Sequence, residues 1–206
     1  GHPGLITLRA LDCLRQADCV IYDYLSNPVF LKSAKPSAKI VYAGKRAGNH
    51  ALTQAGIEKW MIRQALAGKT VVRLKGGDPY LFGRGGEEAA ALRKRRIAFE
   101  VVPGVSAGIA APAFAGIPVT HRAHASAVAM ITGHEDPKKR YGVRGTGYGV
   151  DYKNLAGFRG TLVFFMGVER LGRIASELIR HGKKPSTPAA LIRWGTTGRQ
   201  QTLTGK

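Results

Sequence analysis

Acidic side chains are scarce in this sequence, which is its most unusual property. Thirteen Asp and Glu stand against 32 Lys and Arg, so the formal net charge is +19. A balance this basic indicates an anionic partner: nucleic acid, an anionic membrane surface, or a small substrate with many negative groups. The excess is uneven, because residues 137–206 hold 14 basic and three acidic side chains.

Cysteines and long apolar runs are also lacking. Cys13 and Cys19 are the only cysteines, too few for a disulfide framework or a cysteine-built zinc site, so we expect a reducing, cytoplasmic location. No apolar run approaches the roughly 18 residues that a membrane-spanning helix needs. The first residues lack the basic-then-apolar layout of a secretory signal. With 44% hydrophobic residues, the chain can still build a core.

Short β-prone runs alternate with helical patterns along the chain. Residues 51–67, for example, carry apolar side chains at helical spacing, and Gly68 follows as a stop signal. Such alternation predicts an α/β fold with largely parallel sheet covered on both faces. The predicted strands are 19–22, 39–43, 70–74, 99–102, 127–131, 161–165 and 189–194, and the predicted helices are 5–16, 51–67, 87–95, 106–115 and 169–180.

Two α/β blocks meet near Pro112–Thr120, which predicts two domains, at 1–118 and 119–206. The opening residues 1–4 have the composition of a strand-to-helix loop with no strand before it. We therefore expect that a first strand, and part of the second domain, are missing from this chain. The glycine-rich, basic stretch 137–157 is typical of a solvated surface loop.

Polar residues and glycines follow several predicted strands at the point where each strand ends. Asp23 follows the first, Lys45 the second, and Gly76-Gly77-Asp78 the third. Asp23 alone could begin a turn, and Lys45 alone could be a surface cation. Ligands of open parallel sheets bind at the carboxyl ends of the strands. Together these residues therefore predict a binding site at that edge.

The richest segment runs from Gly76 to Glu88. It lacks both the Gly-Lys-Ser/Thr ending of a Walker loop and the G-x-G-x-x-G pattern, so a phosphate cradle is unsupported. It contains one carboxylate, Asp78, and one guanidinium, Arg84, which could grip a carboxylate through two parallel hydrogen bonds. The histidines and nearby acids from His121 onward have no metal-ligand spacing, so we predict no metal. No nucleophile elbow is present for a Ser/His/Asp triad.

These segments resemble the tetrapyrrole (corrin/porphyrin) methylases, in particular the branch that methylates uroporphyrinogen III. The most specific match is the string Arg-Leu-Lys-Gly-Gly-Asp-Pro…Phe-Gly-Arg-Gly-Gly-Glu-Glu. The resemblance covers nearly the whole chain in one order, apart from about 137–157. The matching stretches are Leu5–Ala10, Ala17–Asp23, Val72–Glu88, Val102–Ala107, Gly116–Arg122, Thr132–Glu135 and Thr161–Gly167.

The resemblance implies a fold and a reaction. The fold would be two α/β domains of the tetrapyrrole methylase type, with a mostly parallel N-terminal sheet, a mixed C-terminal sheet and the cofactor in the cleft between. The reaction would be S-adenosyl-L-methionine-dependent methylation of uroporphyrinogen III at C2 and C7, giving precorrin-2 by way of precorrin-1 for siroheme and cobalamin synthesis. S-adenosyl-L-homocysteine would be the co-product, and the protein a homodimer without nucleic acid or membrane partners.

The resemblance also implies roles for individual residues. Asp23 and Lys45 match positions that handle protons, and Arg84 and Glu87 match positions for substrate binding and catalysis. Methylating a pyrrole carbon leaves a cationic ring that must lose a proton, and Asp23 is the natural base because an arginine stays protonated. The positions matching cofactor contacts are Gly76, Gly77, Asp78, Leu81, Ser106, Ala107, Met166 and Gly195.

Some features depart from the family pattern, and other functions remain open. His2 stands where the family usually has Asp, and an imidazole cannot supply a fixed negative charge. The basic stretch 137–157 is also unusual. A methylase of a later precorrin is one alternative, against which the glycine-arginine string argues. An RNA-binding or RNA-methylating protein is another, but it would need aromatic platforms or a basic helix face, which are not evident.

Overall fold

The computed structural model of the protein describes residues 1–44, 52–134 and 149–206. The chain divides into two compact units, Gly1–Ser106 and Ala107–Lys206. None of the helices in these described ranges has the length and apolar character needed to span a bilayer.

The first unit is organised by a three-stranded parallel sheet. Strand β1 (Cys19–Tyr22) lies in the centre, between β2 (Lys39–Tyr42) and β3 (Val71–Leu74). Successive side chains of a strand point to opposite faces, and Val20 and Ile21 are both completely buried. Val20 packs in one apolar cluster and Ile21 in another. The sheet is therefore covered on both faces, as predicted.

Three helices accompany this sheet, and the first two begin with side-chain caps. The hydroxyl oxygen of Thr7 accepts a hydrogen bond from the amide of Ala10 at 3.2 Å, and that of Thr53 accepts one from Gly56 at 3.1 Å. Gly68, with φ of +74°, ends the second helix as predicted. The helices are α1 (Leu8–Gln16), α2 (Gln54–Leu66) and α3 (Gly85–Lys94), with short 3₁₀ helices at Pro3–Leu5 and Pro28–Ser33.

The predicted strand at 99–102 is wrong. These residues are not in a strand, and Phe99 is 41% exposed. Glu100 is tied instead to α1, where its carboxylate accepts hydrogen bonds from the guanidinium of Arg9. A β-prone sequence becomes a strand only when it packs and pairs with a neighbour.

The second unit contains two separate two-stranded sheets. Strands β4 and β5 are parallel, whereas β6 and β7 are antiparallel. Both kinds of pairing thus occur in this part of the chain, but in two separate sheets and not in the single mixed sheet that was expected. The sequence pattern did not predict β7. The elements are α4 (Ala107–Phe114), β4 (Val128–Thr132), α5 (Tyr152–Ala156), β5 (Thr161–Phe165), α6 (Leu171–Arg180), β6 (Ala189–Arg193) and β7 (Gln201–Gly205), with a 3₁₀ helix at Val168–Arg170.

The predicted domain boundary and the predicted loop at 137–157 can each be set beside the structure. Helix α4 belongs to the second unit, where a Cβ added to Gly108 would lie 2.6 Å from the ring of Phe165. The division at 118 and 119 therefore stays a prediction about domains, distinct from the compact units. In the expected loop at 137–157, residues 137–148 lie outside the described residues, and the rest includes α5, which Asp151 caps.

Asp18 joins the amino ends of two strands and makes the first unit sensitive to acid. Its carboxylate accepts hydrogen bonds from the amide of Thr70 at 2.9 Å and from Lys35 Nζ at 3.1 Å. These contacts, led by the Thr70 amide, lower the pKa of Asp18 below its ordinary value of 3.8. Between the lowered pKa of the folded state and 3.8, Asp18 binds more protons in the unfolded chain than in the folded one. The stabilisation from its contacts is therefore complete above pH 3.8 and is lost as the pH falls through the folded-state pKa.

We expect Asp18→Asn to be less stable than the parent protein at neutral pH, with a difference that shrinks below pH 3.8. Urea unfolding of both proteins across this pH range measures the difference, and comparing the pair removes the contribution of other carboxylates. A stability gap that does not change with pH would contradict this account.

Candidate active site

Asp23 lies where β1 ends, at the carboxyl edge of the parallel sheet. One carboxylate oxygen accepts a hydrogen bond from Arg73 Nη2 at 2.7 Å, and the other accepts one from the amide of Leu25 at 3.0 Å. The side chain keeps 23% of its surface exposed. The guanidinium and the amide thus fix the orientation of a carboxylate that still reaches solvent. Lys45, which was predicted at the same edge, lies outside the described residues.

Behind Asp23 lies a buried charge network. The Oε1 atom of Glu88 accepts hydrogen bonds from Arg73 Nε at 3.2 Å, Lys75 Nζ at 3.3 Å and Gln54 Nε2 at 3.2 Å. Arg73, Lys75 and Glu88 side chains are exposed by only 11%, 9% and 7%. With Asp23, the network balances two carboxylates against two cations, as buried charges require.

Burial and the neighbouring Arg73 guanidinium lower the pKa of Lys75, and Glu88 opposes this shift only in part. Sequence reasoning assigned no role to Arg73, Lys75 or Glu88, although all three lie in the specific string. A usable signal was present: Arg73 is the one charged residue of the otherwise apolar strand Val71–Leu74, and a charge that is largely buried needs a partner.

The loop after β3 is held by Asp78. Its two carboxylate oxygens accept hydrogen bonds from the amides of Tyr80 at 2.8 Å and Gly104 at 3.1 Å. A Cβ on Gly104 would collide with the carbonyl oxygen of Gly77, and one on Gly76 would lie 2.7 Å from the carbonyl oxygen of Leu25. These glycines permit close backbone contacts, and Asp78 joins the loop to the segment that leads to Ser106.

The predicted cofactor residues of the first unit therefore lie on neighbouring loops. Gly76, Gly77 and Asp78 stand on the first loop, where the Leu81 amide donates to the Asp78 carbonyl oxygen at 3.3 Å. Ser106 follows the second loop and is 7% exposed.

Arg84 and Glu87 form a second charged feature beside α3. Arg84 Nε and Nη2 donate parallel hydrogen bonds to the two oxygens of Glu87, at 2.9 and 2.7 Å. About half of each side chain is exposed. Arg84 has a left-handed backbone, with φ of +59°, immediately before α3 begins. The structure thus brings together the two residues that the resemblance paired for substrate binding and catalysis.

In the second unit, Met166 follows β5 at the carboxyl edge of the parallel pair. It has φ of +57° and is 56% exposed. It lines an open hollow of about 360 Å³ together with His134, Val168 and Glu169. His134 follows β4, so both strands of the pair contribute a residue at the edge where ligands bind in parallel sheets.

Ala107 begins helix α4, and Gly195 packs against the same helix. Gly195 lies between β6 and β7, and a Cβ there would collide with Ala111 of α4, the helix that Ala107 begins. The close contact accounts for glycine at this position.

The histidine rings of His121 and His124 stack with centroids 4.7 Å apart. Across residues 1–44, 52–134 and 149–206, no group of three His, Cys, Asp or Glu side chains could hold a metal ion.

A parallel α/β sheet with an oriented carboxylate at its carboxyl edge, beside a close-packed glycine loop, defines a small-molecule-binding α/β protein. The family model of the tetrapyrrole (corrin/porphyrin) methylases matches residues 1–206, and the chain belongs to that family. The resemblance and the fold class inferred from the sequence are thereby confirmed.

Curated relatives match over the whole chain. The S-adenosyl-L-methionine-dependent uroporphyrinogen III methyltransferase of Methanosarcina barkeri is 50% identical over 205 residues, which are 100% of this chain and 78% of the relative. A uroporphyrinogen-III C-methyltransferase of Bacillus subtilis is 48% identical, and the siroheme synthase of Zymomonas mobilis is 46% identical, again over 100% of this chain. The chain spans only 41% and 42% of the lengths of these two relatives.

Solved structures agree with this relationship. A Thermus thermophilus uroporphyrin-III C-methyltransferase complexed with S-adenosylhomocysteine superposes with a TM-score of 0.80 at 35% identity, over 100% of this chain and 79% of that one. A cobalt precorrin-4 methyltransferase superposes with a TM-score of 0.81 at 27% identity, over 99% of this chain and 80% of that one.

Proposed function

We propose that this protein catalyses S-adenosyl-L-methionine-dependent C-methylation of uroporphyrinogen III at C2 and C7, giving precorrin-2 through precorrin-1, for siroheme and cobalamin biosynthesis. The names and identities of the relatives support the substrate and the cofactor. The structural observation that carries the proposal is the Asp23 carboxylate, which Arg73 orients at the carboxyl edge of the sheet. It supplies the base that methylation of a ring carbon requires.

The residues proposed to hold the cofactor suit its chemistry. S-adenosyl-L-methionine supplies a methyl group that its sulfonium already activates, and it leaves as S-adenosyl-L-homocysteine. Nucleoside and amino-acid groups call for backbone donors and acceptors and for hydroxyls. Glycine backbone without side chains and the Ser106 hydroxyl provide such groups. The residues that would hold it are Gly76, Gly77, Asp78, Leu81 and Ser106 in the first unit, and Ala107, Met166 and Gly195 in the second.

The protein's own chemistry then consists of alignment and proton removal. Methyl transfer to a pyrrole carbon breaks the bond between the methyl group and sulfur and forms a carbon–carbon bond. The ring is then cationic, and it becomes neutral by losing a proton. We propose that Asp23 accepts this proton, with Lys45 assisting. Arg84 would bind a substrate carboxylate, and Glu87 would hold the guanidinium in the orientation for two parallel hydrogen bonds.

The substitution Arg84→Lys tests the proposed carboxylate contact. It keeps the positive charge but loses the fork that donates two parallel bonds, so we expect KM for uroporphyrinogen III to rise by about tenfold. The affinity for S-adenosylhomocysteine should stay unchanged. Arg15→Lys is the control, because Arg15 also pairs with a carboxylate three residues away on a helix surface. Unchanged kinetics in Arg84→Lys would exclude the contact.

Turnover of alternative substrates tests the proposed function. The purified protein is given S-adenosyl-L-methionine with freshly reduced uroporphyrinogen III, with precorrin-2, or with RNA. We expect methylation of uroporphyrinogen III alone. Methylation of precorrin-2 instead would favour the later-precorrin alternative, and methylation of RNA would favour the nucleic-acid alternative.

We further propose a cytoplasmic homodimer, as the family resemblance implies. The free thiols of Cys13 and Cys19 suit a reducing compartment. Sedimentation equilibrium of the purified protein should give twice the mass of one chain, and a single-chain mass would exclude the dimer.

A further inference from the structure

The loop between β6 and β7 presents an exposed tryptophan with two arginines beside it. Trp194 is 44% exposed. The guanidinium carbon of Arg193 lies over its ring at 3.9 Å from the centroid, and that of Arg199 lies at 5.3 Å. Both distances fall within the range of cation–π attraction. The indole therefore has two positive groups within 5.3 Å of its ring centroid on the surface of the second unit.

Neither of these two guanidiniums has a carboxylate partner within residues 1–44, 52–134 and 149–206. Among the described residues, neither Arg193 nor Arg199 forms an ion pair, although other arginines of the protein do. Two like charges beside one ring repel each other, and a bound anion would relieve that repulsion. The surrounding sequence offers few acids, since residues 137–206 contain only three.

The loop fixes this arrangement through its own hydrogen bonds. The side-chain oxygen of Gln200 accepts a hydrogen bond from the buried Thr196 amide at 2.7 Å, and the Thr197 hydroxyl donates to the Trp194 carbonyl oxygen at 2.7 Å. Trp194 and Thr196 both have left-handed backbones, with φ of +50° and +65°. Non-glycine residues adopt this conformation at a cost that surrounding structure must offset, and such positions concentrate at functional sites.

The position of the loop relates it to the proposed site. Gly195, a candidate cofactor residue, directly follows Trp194 in the chain. We propose that Arg193 and Arg199, positioned by Trp194, bind a carboxylate side arm of the tetrapyrrole substrate. This inference rests on the proposed function. A planar guanidinium matches a carboxylate through two parallel bonds, and uroporphyrinogen carries eight carboxylates.

Binding of uroporphyrin III, the stable oxidised form with the same carboxylates, tests this proposal. Fluorescence titration measures its Kd for the parent protein and for Arg193→Gln/Arg199→Gln, while calorimetry measures the Kd for S-adenosylhomocysteine. We expect the double variant to bind uroporphyrin about tenfold more weakly or worse, with less dependence on salt, and to bind S-adenosylhomocysteine normally. Arg159→Gln, which replaces another exposed arginine of the second unit, should bind both ligands normally.

Three results would overturn the proposal. An unchanged uroporphyrin Kd would show that the pair does not contact the substrate. A loss confined to S-adenosylhomocysteine would assign the anion to the cofactor's own carboxylate. Retention of RNA on a filter, measured for both proteins, is a third readout, and a loss confined to it would assign the pair to nucleic acid. The proposed function fails separately, if the parent protein binds uroporphyrin but does not methylate uroporphyrinogen III.

Discussion

Asp23→Asn is expected to lower kcat for methylation of uroporphyrinogen III by about 10²–10⁴-fold, the usual contribution of a positioned general base. The amide keeps the shape of the carboxylate, but only its oxygen accepts, so it can keep the hydrogen bond from Leu25 or the one from Arg73 and places its NH2 group against the other donor. It is a much poorer proton acceptor. The loss should therefore fall mainly on turnover, while the affinity for S-adenosylhomocysteine changes little. The lost hydrogen bond should lower the stability of the first unit by about 1 kcal/mol.

The matched control for Asp23→Asn is Asp18→Asn. Asp18 precedes the same strand, β1, at the opposite edge of the sheet, and its contacts are with Thr70 and Lys35. This variant should keep the parent kcat. If both substitutions left kcat unchanged, Asp23 would not be the base. If both lowered it equally, the effect would come from disturbing β1.

Glu88→Ala is expected to lower the free energy of unfolding by about 3–5 kcal/mol, the typical cost of removing one partner from a buried ion pair. Its Oε1 atom accepts hydrogen bonds from Arg73, Lys75 and Gln54. Truncation leaves two nearly buried cations without this acceptor, although Arg73 keeps Asp23. Urea unfolding with a constant m-value measures the loss.

Glu87→Ala is the control for this stability effect. Glu87 lies beside Glu88 in the first turn of α3, so both substitutions remove the same favourable interaction with the helix dipole. The pair of Glu87 with Arg84 is exposed, and we expect a loss of about 1 kcal/mol or less. Equal losses in the two variants would contradict a buried network. Adding Lys75→Met to Glu88→Ala should restore part of the stability, because it removes one uncompensated cation.

The network also links stability to the proposed chemistry. Glu88 holds Arg73, and Arg73 holds Asp23, so in the proposed mechanism Arg73 and Glu88 are positioning residues for the base. The arginine that orients Asp23 is thus a different residue from Arg84, which is proposed to bind a substrate carboxylate.

Local sequence patterns predicted the elements of the first unit well. The apolar run at β1 and the capped periodicity of α2 each agree with the burial that the fold provides. The strand at 99–102 was wrong, because β propensity cannot reveal whether a pairing partner exists. Strand β7 was missed, because its exposed residues include a single apolar side chain, Leu203, and so carry no apolar alternation.

For the candidate site, the sequence indicated individual residues but not the contacts between them. Asp23 and the glycine loop followed from where the strands end, and Arg84 and Glu87 followed from a family motif. The partnership of Arg73 with Glu88 joins a strand to a helix 15 residues later, and such tertiary pairing has no local periodicity. The Arg193–Trp194–Arg199 arrangement depends on left-handed backbone within a hairpin loop, which sequence patterns do not specify for non-glycine residues.

The most direct test of the proposed reaction is ¹³C NMR of the product formed from uroporphyrinogen III and S-adenosyl-L-methionine labelled in its methyl group. We expect two labelled methyl groups, each bonded to a ring carbon that has lost its aromatic character, at C2 and C7. Labelled methyl groups on carboxylate oxygens or on nitrogen, or no labelled tetrapyrrole from the folded protein, would contradict the proposal.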